Sequence, residues 1–219
     1  MKTQMKFQKI FMLVSLIIAA LTVVFSLIFC SGGIFQISKL YDSSAGVERI
    51  AEIEIPGESI WDEPEKFVYT AHGAKDFFNV TQNVSNVLLI MGIVMVLVIV
   101  LNYVMGTNKR RKYYITNYIA VGIAVAFEIA LAIVIIVMVH NCQTVFSTKC
   151  DLDSMKAVYE YLYKDAWKPN NNWTFPLGYA LAGILLVNAV GFVLNLIWKI
   201  KLMQGEKKLL ESGLVREVA

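Results

Sequence analysis

The sequence predicts an all-α membrane protein, a four-transmembrane-helix bundle with a small extracellular module made of a short β-hairpin plus an amphipathic helix. Three observations predict it. Of 219 residues, 57 % are hydrophobic and only 17 % charged, where an ordinary soluble domain carries about 25 % charged residues. Four nearly uncharged runs, 10–29, 86–105, 115–139 and 175–198, each reach the roughly 20 residues that cross about 30 Å of hydrocarbon. Lys and Arg gather in every other intervening segment, the arrangement of cytoplasmic loops.

Residues 1–9 form a basic cytoplasmic N-terminus with Lys2, Lys6 and Lys9. The first run, 10–29, is longer than the 7 to 15 apolar residues of a signal-peptide core. Bulky Phe29 also precedes Cys30, where a lipoprotein cleavage box needs a small residue. The run is therefore read as a retained first span. Ser15, Thr22 and Ser26 punctuate it, and small polar residues of this kind face other helices.

The first extracellular loop, 30–85, carries nine acidic residues against four basic ones. Within it Glu52-Ile53-Glu54-Ile55 alternates polar and apolar, the period of a half-exposed strand. Pro56-Gly57 follows as a turn, and Phe67-Val68-Tyr69-Thr70 supplies the second strand of a hairpin. An isolated hairpin is marginal in water, so this one needs a packing partner. The second span, 86–105, returns inward. A short turn, 106–114, holds Lys109, Arg110, Arg111 and Lys112 and makes the second and third spans antiparallel neighbours.

The third span, 115–139, has a single carboxylate, Glu128, at its centre. The second extracellular loop, 140–174, contains a helical pattern at Leu152, Met155, Tyr159, Leu162 and Ala166, with Asp151 as its N-cap. The fourth span, 175–198, is flanked by Trp173 and Trp198, the interfacial aromatics of a membrane helix. The tail, 199–219, is basic and cytoplasmic. Both termini inside, in a cell membrane, satisfies the charge pattern. In outline the layout resembles four-span proteins of the claudin type. The Gly-Leu-Trp and paired-cysteine signature of their first loop is absent, and no residue role is carried over.

Glu128 is the sharpest candidate site. A carboxylate at mid-bilayer costs about 2.5–3.5 kcal/mol, so such residues face the interior of a bundle. Ala120, Ala124 and Ala132 share its face at four-residue spacing, a stripe on which a neighbouring helix closes. At about 1.5 Å per residue, Glu128 lies roughly 20 Å from the inner edge. The same count puts Thr22 and Gly92 near that depth and Asn188 slightly lower. Two readings stand: an ion or proton site shared by these groups, or a protonated acid holding the helices in register. Asn188, Gly191 and Asn195 share a face of the fourth span, as a cavity lining or as a packing surface. Cys142 and Cys150 are expected either to form a disulfide in an oxidising compartment or to stand as free thiols. Trp61, beside the acidic Asp62-Glu63-Pro64-Glu65, is a candidate partner contact; that acidic run fits no known calcium loop. Asn79, Asn83 and Asn172 open glycosylation sequons, but each sits close to a span, and chance accounts for them better.

Two histidines, three cysteines and no Cys-x-x-Cys leave no pattern for a metal or haem. No nucleophile or phosphate-binding motif is present, so an enzyme is not expected, nor a cofactor. A net charge of +3 spread between loops gives no nucleic-acid surface. The expected role is non-enzymatic: a structural or accessory subunit of a membrane complex, acting through its extracellular loops. Its partners would be the lipid bilayer and another protein or further copies of the chain. The alternative is an oligomeric channel or ion-coupled transporter subunit with Glu128 in the pathway.

Overall fold

The computed structural model describes residues 2–30, 36–55, 64–106, 114–168 and 174–211. Trp61, the acidic pair Asp62-Glu63, the cations Lys109 to Lys112 and the sequon at Asn172 lie outside the described residues. The chain is mostly helical, with a small strand region of two sheets. Among the described residues four helices are long and apolar enough to cross a membrane. They are α1 (Lys2–Cys30), α2 (Ala74–Gly106), α3 (Tyr114–Thr148) and α5 (Thr174–Glu211). A fifth helix, α4, is short (Leu152–Tyr163).

Each long helix overruns its apolar run. α1 takes in Lys2, Lys6 and Lys9, α2 begins twelve residues before position 86, and α3 continues nine past position 139. The reason is physical. A helix stops where its backbone groups find other partners, not where its side chains become polar. Glu48 supplies such a partner at the start of α2, where its Oε1 accepts the backbone N–H groups of Gly73 (3.0 Å) and Lys75 (3.1 Å). A carboxylate there also meets the positive end of the helix dipole. Pro176 sits in the first turn of α5, where a missing N–H costs nothing.

The chain divides into two compact units. The first comprises 1–23, 90–134 and 180–219, and contains segments of all four long helices. Its interior is filled by Met12, Ile18, Met95, Val121, Leu185 and Phe192. Glycines set the closest approaches. A Cβ on Gly92 would lie 2.8 Å from the Val23 side chain, and one on Gly191 would lie 2.5 Å from the Phe11 ring. Ala120, Ala124 and Ala132 are all buried, as their shared face predicts.

The second unit comprises 24–89 and 135–179. After a 3-10 turn, Gln36–Leu40, two residues of β1 (Tyr41–Asp42) pair with β2 (Val47–Glu48), a small ribbon the sequence pattern does not reveal. β3 (Ile50–Ile55) pairs antiparallel with β4 (Glu65–Thr70). The expected hairpin is thus present and two residues longer on each strand. Its register sets Ala51 opposite Tyr69 and Ile53 opposite Phe67 on one face, and Ile50, Glu52 and Glu54 opposite Thr70, Val68 and Lys66 on the other. α4 packs on β3, β4 and the 3-10 turn, the support that a lone hairpin lacks. Gln36 ties the same turn to the chain after α4, donating to the Ala166 carbonyl at 3.2 Å.

The sequence places α4 correctly but too long. Asp151 is its N-cap, accepting the Ser154 N–H at 3.2 Å and the Ser154 hydroxyl at 2.8 Å. The helix stops at Tyr163 because Lys164 turns left-handed (φ 49°) and gives its N–H to the Glu160 carbonyl. The hydroxyl and N–H of Ser154 hold the Asp151 carboxyl below its ordinary value of 3.8. A lowered folded value means the stabilisation is fully present above pH 3.8 and is lost as pH falls below it. Replacing Asp151 by Ala is expected to cost about 1 kcal/mol of local stability. Hydrogen exchange across Leu152–Tyr163 should rise at pH 7 in the variant, and the difference should shrink as pH falls below 3.8 through the lowered value of the folded carboxyl. Equal exchange in both proteins at pH 7 would count against the cap.

Candidate functional site

The first unit encloses a cluster of polar side chains from three helices. Glu128 of α3 is fully buried. Its Oε1 accepts the Ser15 hydroxyl of α1 and, at 2.8 Å, the Asn188 Nδ2 of α5. Asn188 Nδ2 is also 2.8 Å from Ser15 Oγ and 3.3 Å from the Phe11 carbonyl. Two amide protons are therefore shared among three acceptors. The second carboxyl oxygen, Oε2, is buried with no hydrogen-bond partner among the described residues.

Asn188 joins Glu128 as its depth predicts, but Thr22 does not. The Thr22 hydroxyl is buried and donates to the Ile18 carbonyl of its own helix at 2.8 Å. The displacement has a simple origin. Counting depth from position 10 omits the eight residues by which α1 starts earlier, about 12 Å of helix. Ser15 is thirteen residues into α1 and Glu128 fourteen into α3. That correspondence was available from the sequence only if Lys2, Lys6 and Lys9 were counted as helical. Gly92 has no part in the cluster and serves instead as the close approach to Val23.

Asn195, two turns beyond Asn188 on α5, meets a different group. Its Oδ1 accepts from Gln4 Nε2 at 3.2 Å, and Gln4 also donates to Gln8 Oε1 at 3.3 Å. All three are buried. Gln4 and Gln8 precede the apolar run 10–29, and their four-residue spacing is the sequence signal that sets them on one helix face. Asn102 and Lys199 are buried in the same unit with side-chain polar atoms that lack partners among the described residues.

The expected alternatives for Cys142 and Cys150 resolve to free thiols. Cys142 is buried near the end of α3 (Tyr114–Thr148), and Cys150 is partly buried beyond it. Cys150 lies in the second unit with its Sγ 3.8 Å from the Gly73 carbonyl. Burial, then the negative charges of Asp76 and Glu48, push its thiol up to about 12. Such a thiol is a poor nucleophile at neutral pH. Among the described residues no group of His, Cys, Asp and Glu is arranged to hold a metal ion.

The surface of the second unit carries a different feature. The outward face of the β3–β4 hairpin exposes Ile50 (56 %) and Val68 (65 %) between Glu52, Glu54 and Lys66. Beside it is an open groove of about 440 Å³ bounded by Val47, Ile50, Thr70, Lys75 and Asp76.

No family model matches the chain, and comparison with curated proteins and solved structures finds no match. Its class therefore rests on its own residues: a mostly helical protein with four long apolar helices and a small strand region.

Proposed function

We propose that the chain is a non-enzymatic, multi-pass integral membrane protein of the cell membrane. In this reading its four long helices form the bundle, both termini are cytoplasmic, and it serves as a structural or accessory subunit of a membrane complex. The outer segments meet the partner through the β3–β4 hairpin, which α4 supports. The observation that carries this is the outward hairpin face. Ile50 and Val68 project apolar surface between charged neighbours on a supported, rigid ribbon. Apolar centres rimmed by charge are what interfaces present. The acidic balance of 30–85 favours a partner with a basic rim.

A photo-crosslinking amino acid at Val68, in native membranes, tests it. The expected result is one adduct of defined mass, absent when the probe is at Lys156 on exposed α4 and lost when Ile50 is changed to Lys. A chain that stays monomeric and uncrosslinked from both positions would overturn the proposal.

The second reading, an ion-coupled channel or transporter subunit with Glu128 in its pathway, draws on the unpartnered Glu128 Oε2. A buried carboxyl oxygen without a donor is the kind of atom that takes up a proton or a water. The hydrogen bonds at Oε1 favour the structural reading, because two other helices already converge on the acid.

A further inference from the structure

Within the first unit a groove of about 380 Å³ runs between α1 and α2. Its floor is Met12 and Ile99, both buried; its walls are Leu13 and Leu16 on one side and Val100 on the other, all exposed. Lys9 and Tyr103 stand at one end. The Lys9 ammonium lies over the Tyr103 ring, 5.9 Å from its centroid, a cation–π contact that positions the charge without neutralising it. Among the described residues no carboxylate pairs with Lys9. The apolar floor and walls exclude polar ligands from the length of the groove, and the cation marks one end only.

We propose that this groove is a binding site for one anionic phospholipid of the inner leaflet. An acyl chain lies between Leu13 and Val100, and the headgroup phosphate pairs with Lys9. Charge complementarity selects this occupant. A helix of a partner or a second copy covering the groove would bury Lys9 against apolar side chains with no counter-charge, which is costly. A lipid phosphate supplies the missing anion at the level to which a lysine on a membrane helix extends its ammonium. Tyr103 adds an amphipathic ring of the kind found at headgroup depth. The site rests on the membrane reading of the four helices. It gives the basic start of α1 a role beyond orientation, because only one of its lysines lies at the groove.

Native mass spectrometry of the full chain, released from nanodiscs of mixed phosphatidylglycerol and phosphatidylcholine, tests the site. Wild type should retain one phosphatidylglycerol in preference to phosphatidylcholine. Lys9→Gln should lower that preference about fivefold, the change expected for one lysine facing an anionic headgroup. Lys9→Arg should keep it, and Lys6→Gln, which removes an exposed cation outside the groove, should leave it unchanged. Leu13→Trp, which narrows the walls, should reduce retention of the lipid with all charges intact. Equal losses from Lys6→Gln and Lys9→Gln would reduce the effect to diffuse attraction and overturn the site. So would equal retention of the two lipids, or a lipid-free dimer held through α1 and α2. Fractionation separates the two levels of the claim. A chain recovered in the soluble fraction overturns the membrane reading itself, whereas an inserted chain without lipid preference overturns the groove alone.

Discussion

Replacing Gly73 by Ala is expected to produce the largest loss of stability of any single methyl addition in the second unit, about 3 kcal/mol or more. Two effects combine. Gly73 has φ +89°, a left-handed conformation that costs an L-residue roughly 1–2 kcal/mol. The added Cβ would also lie 2.2 Å from the Lys149 carbonyl oxygen, 2.7 Å from its carbon and 3.0 Å from the Cys150 Cα. All three are backbone atoms, so no rotamer change relieves the clash. The segment after α3 would have to move away from the start of α2. That movement breaks the bond from the Asp151 N–H to the His72 carbonyl (3.2 Å) and disturbs the Lys149–Asp76 ion pair (2.8 Å). Gly46 is the internal control. It has φ +72°, yet nothing lies within 4 Å of a Cβ built there. Gly46→Ala should therefore lose only the conformational part. Thermal midpoints of the purified protein, measured side by side, decide the matter. If the two variants lose the same amount, the close approach of Gly73 to Lys149 contributes nothing.

Gly73 also shows what was legible in the sequence and what was not. The four apolar runs, the hairpin and the Asp151 cap are local signals, carried by composition, period-two alternation and a capping residue, and each appears where its residues stand. The use of Gly73 as a contact is not local. It arises because residues 149–151 return to the start of α2 from more than seventy positions away, and no spacing rule encodes that return. The same distinction separates the parts of the polar cluster. Glu128 was visible as a lone carboxylate in a long apolar run, and Asn188 as an amide at similar depth. Ser15 is visible as a helix-facing hydroxyl, but its depth matches Glu128 only when the three lysines are counted in a helix that continues through them. The ribbon of β1 and β2 was missed for a simpler reason: two-residue strands are too short to show a period.

The second large effect is expected at Asn188. Asn188→Leu removes the amide that donates to Glu128 Oε1 and contacts Ser15 Oγ. It leaves a fully buried acid with one donor, the Ser15 hydroxyl. Leaving a buried acceptor short of its partner costs about 1–3 kcal/mol. Glu128→Gln keeps the volume and the acceptor at Oε1 and changes only the oxygen that has no partner, so it retains the bond from Asn188 that Asn188→Leu removes. The decisive variant is the double one. Changing Glu128 and Asn188 together to Leu removes donor and acceptor at once, which is close to neutral where the replacements fill the same space. It should therefore recover most of what Asn188→Leu loses. The coupling expected for a hydrogen bond between helices in lipid is about 0.6 to 1.7 kcal/mol. Recovery in the double variant assigns the cluster to holding α1, α3 and α5 in register, and Glu128→Gln should then leave ion flux in proteoliposomes at the wild-type level. Flux present in wild type and abolished by Glu128→Gln, in a protein of unchanged thermal midpoint, would reverse the assignment. The same acid cannot be dispensable as a titrating group and essential to transport, so stability and flux measured on one pair of proteins separate the two readings.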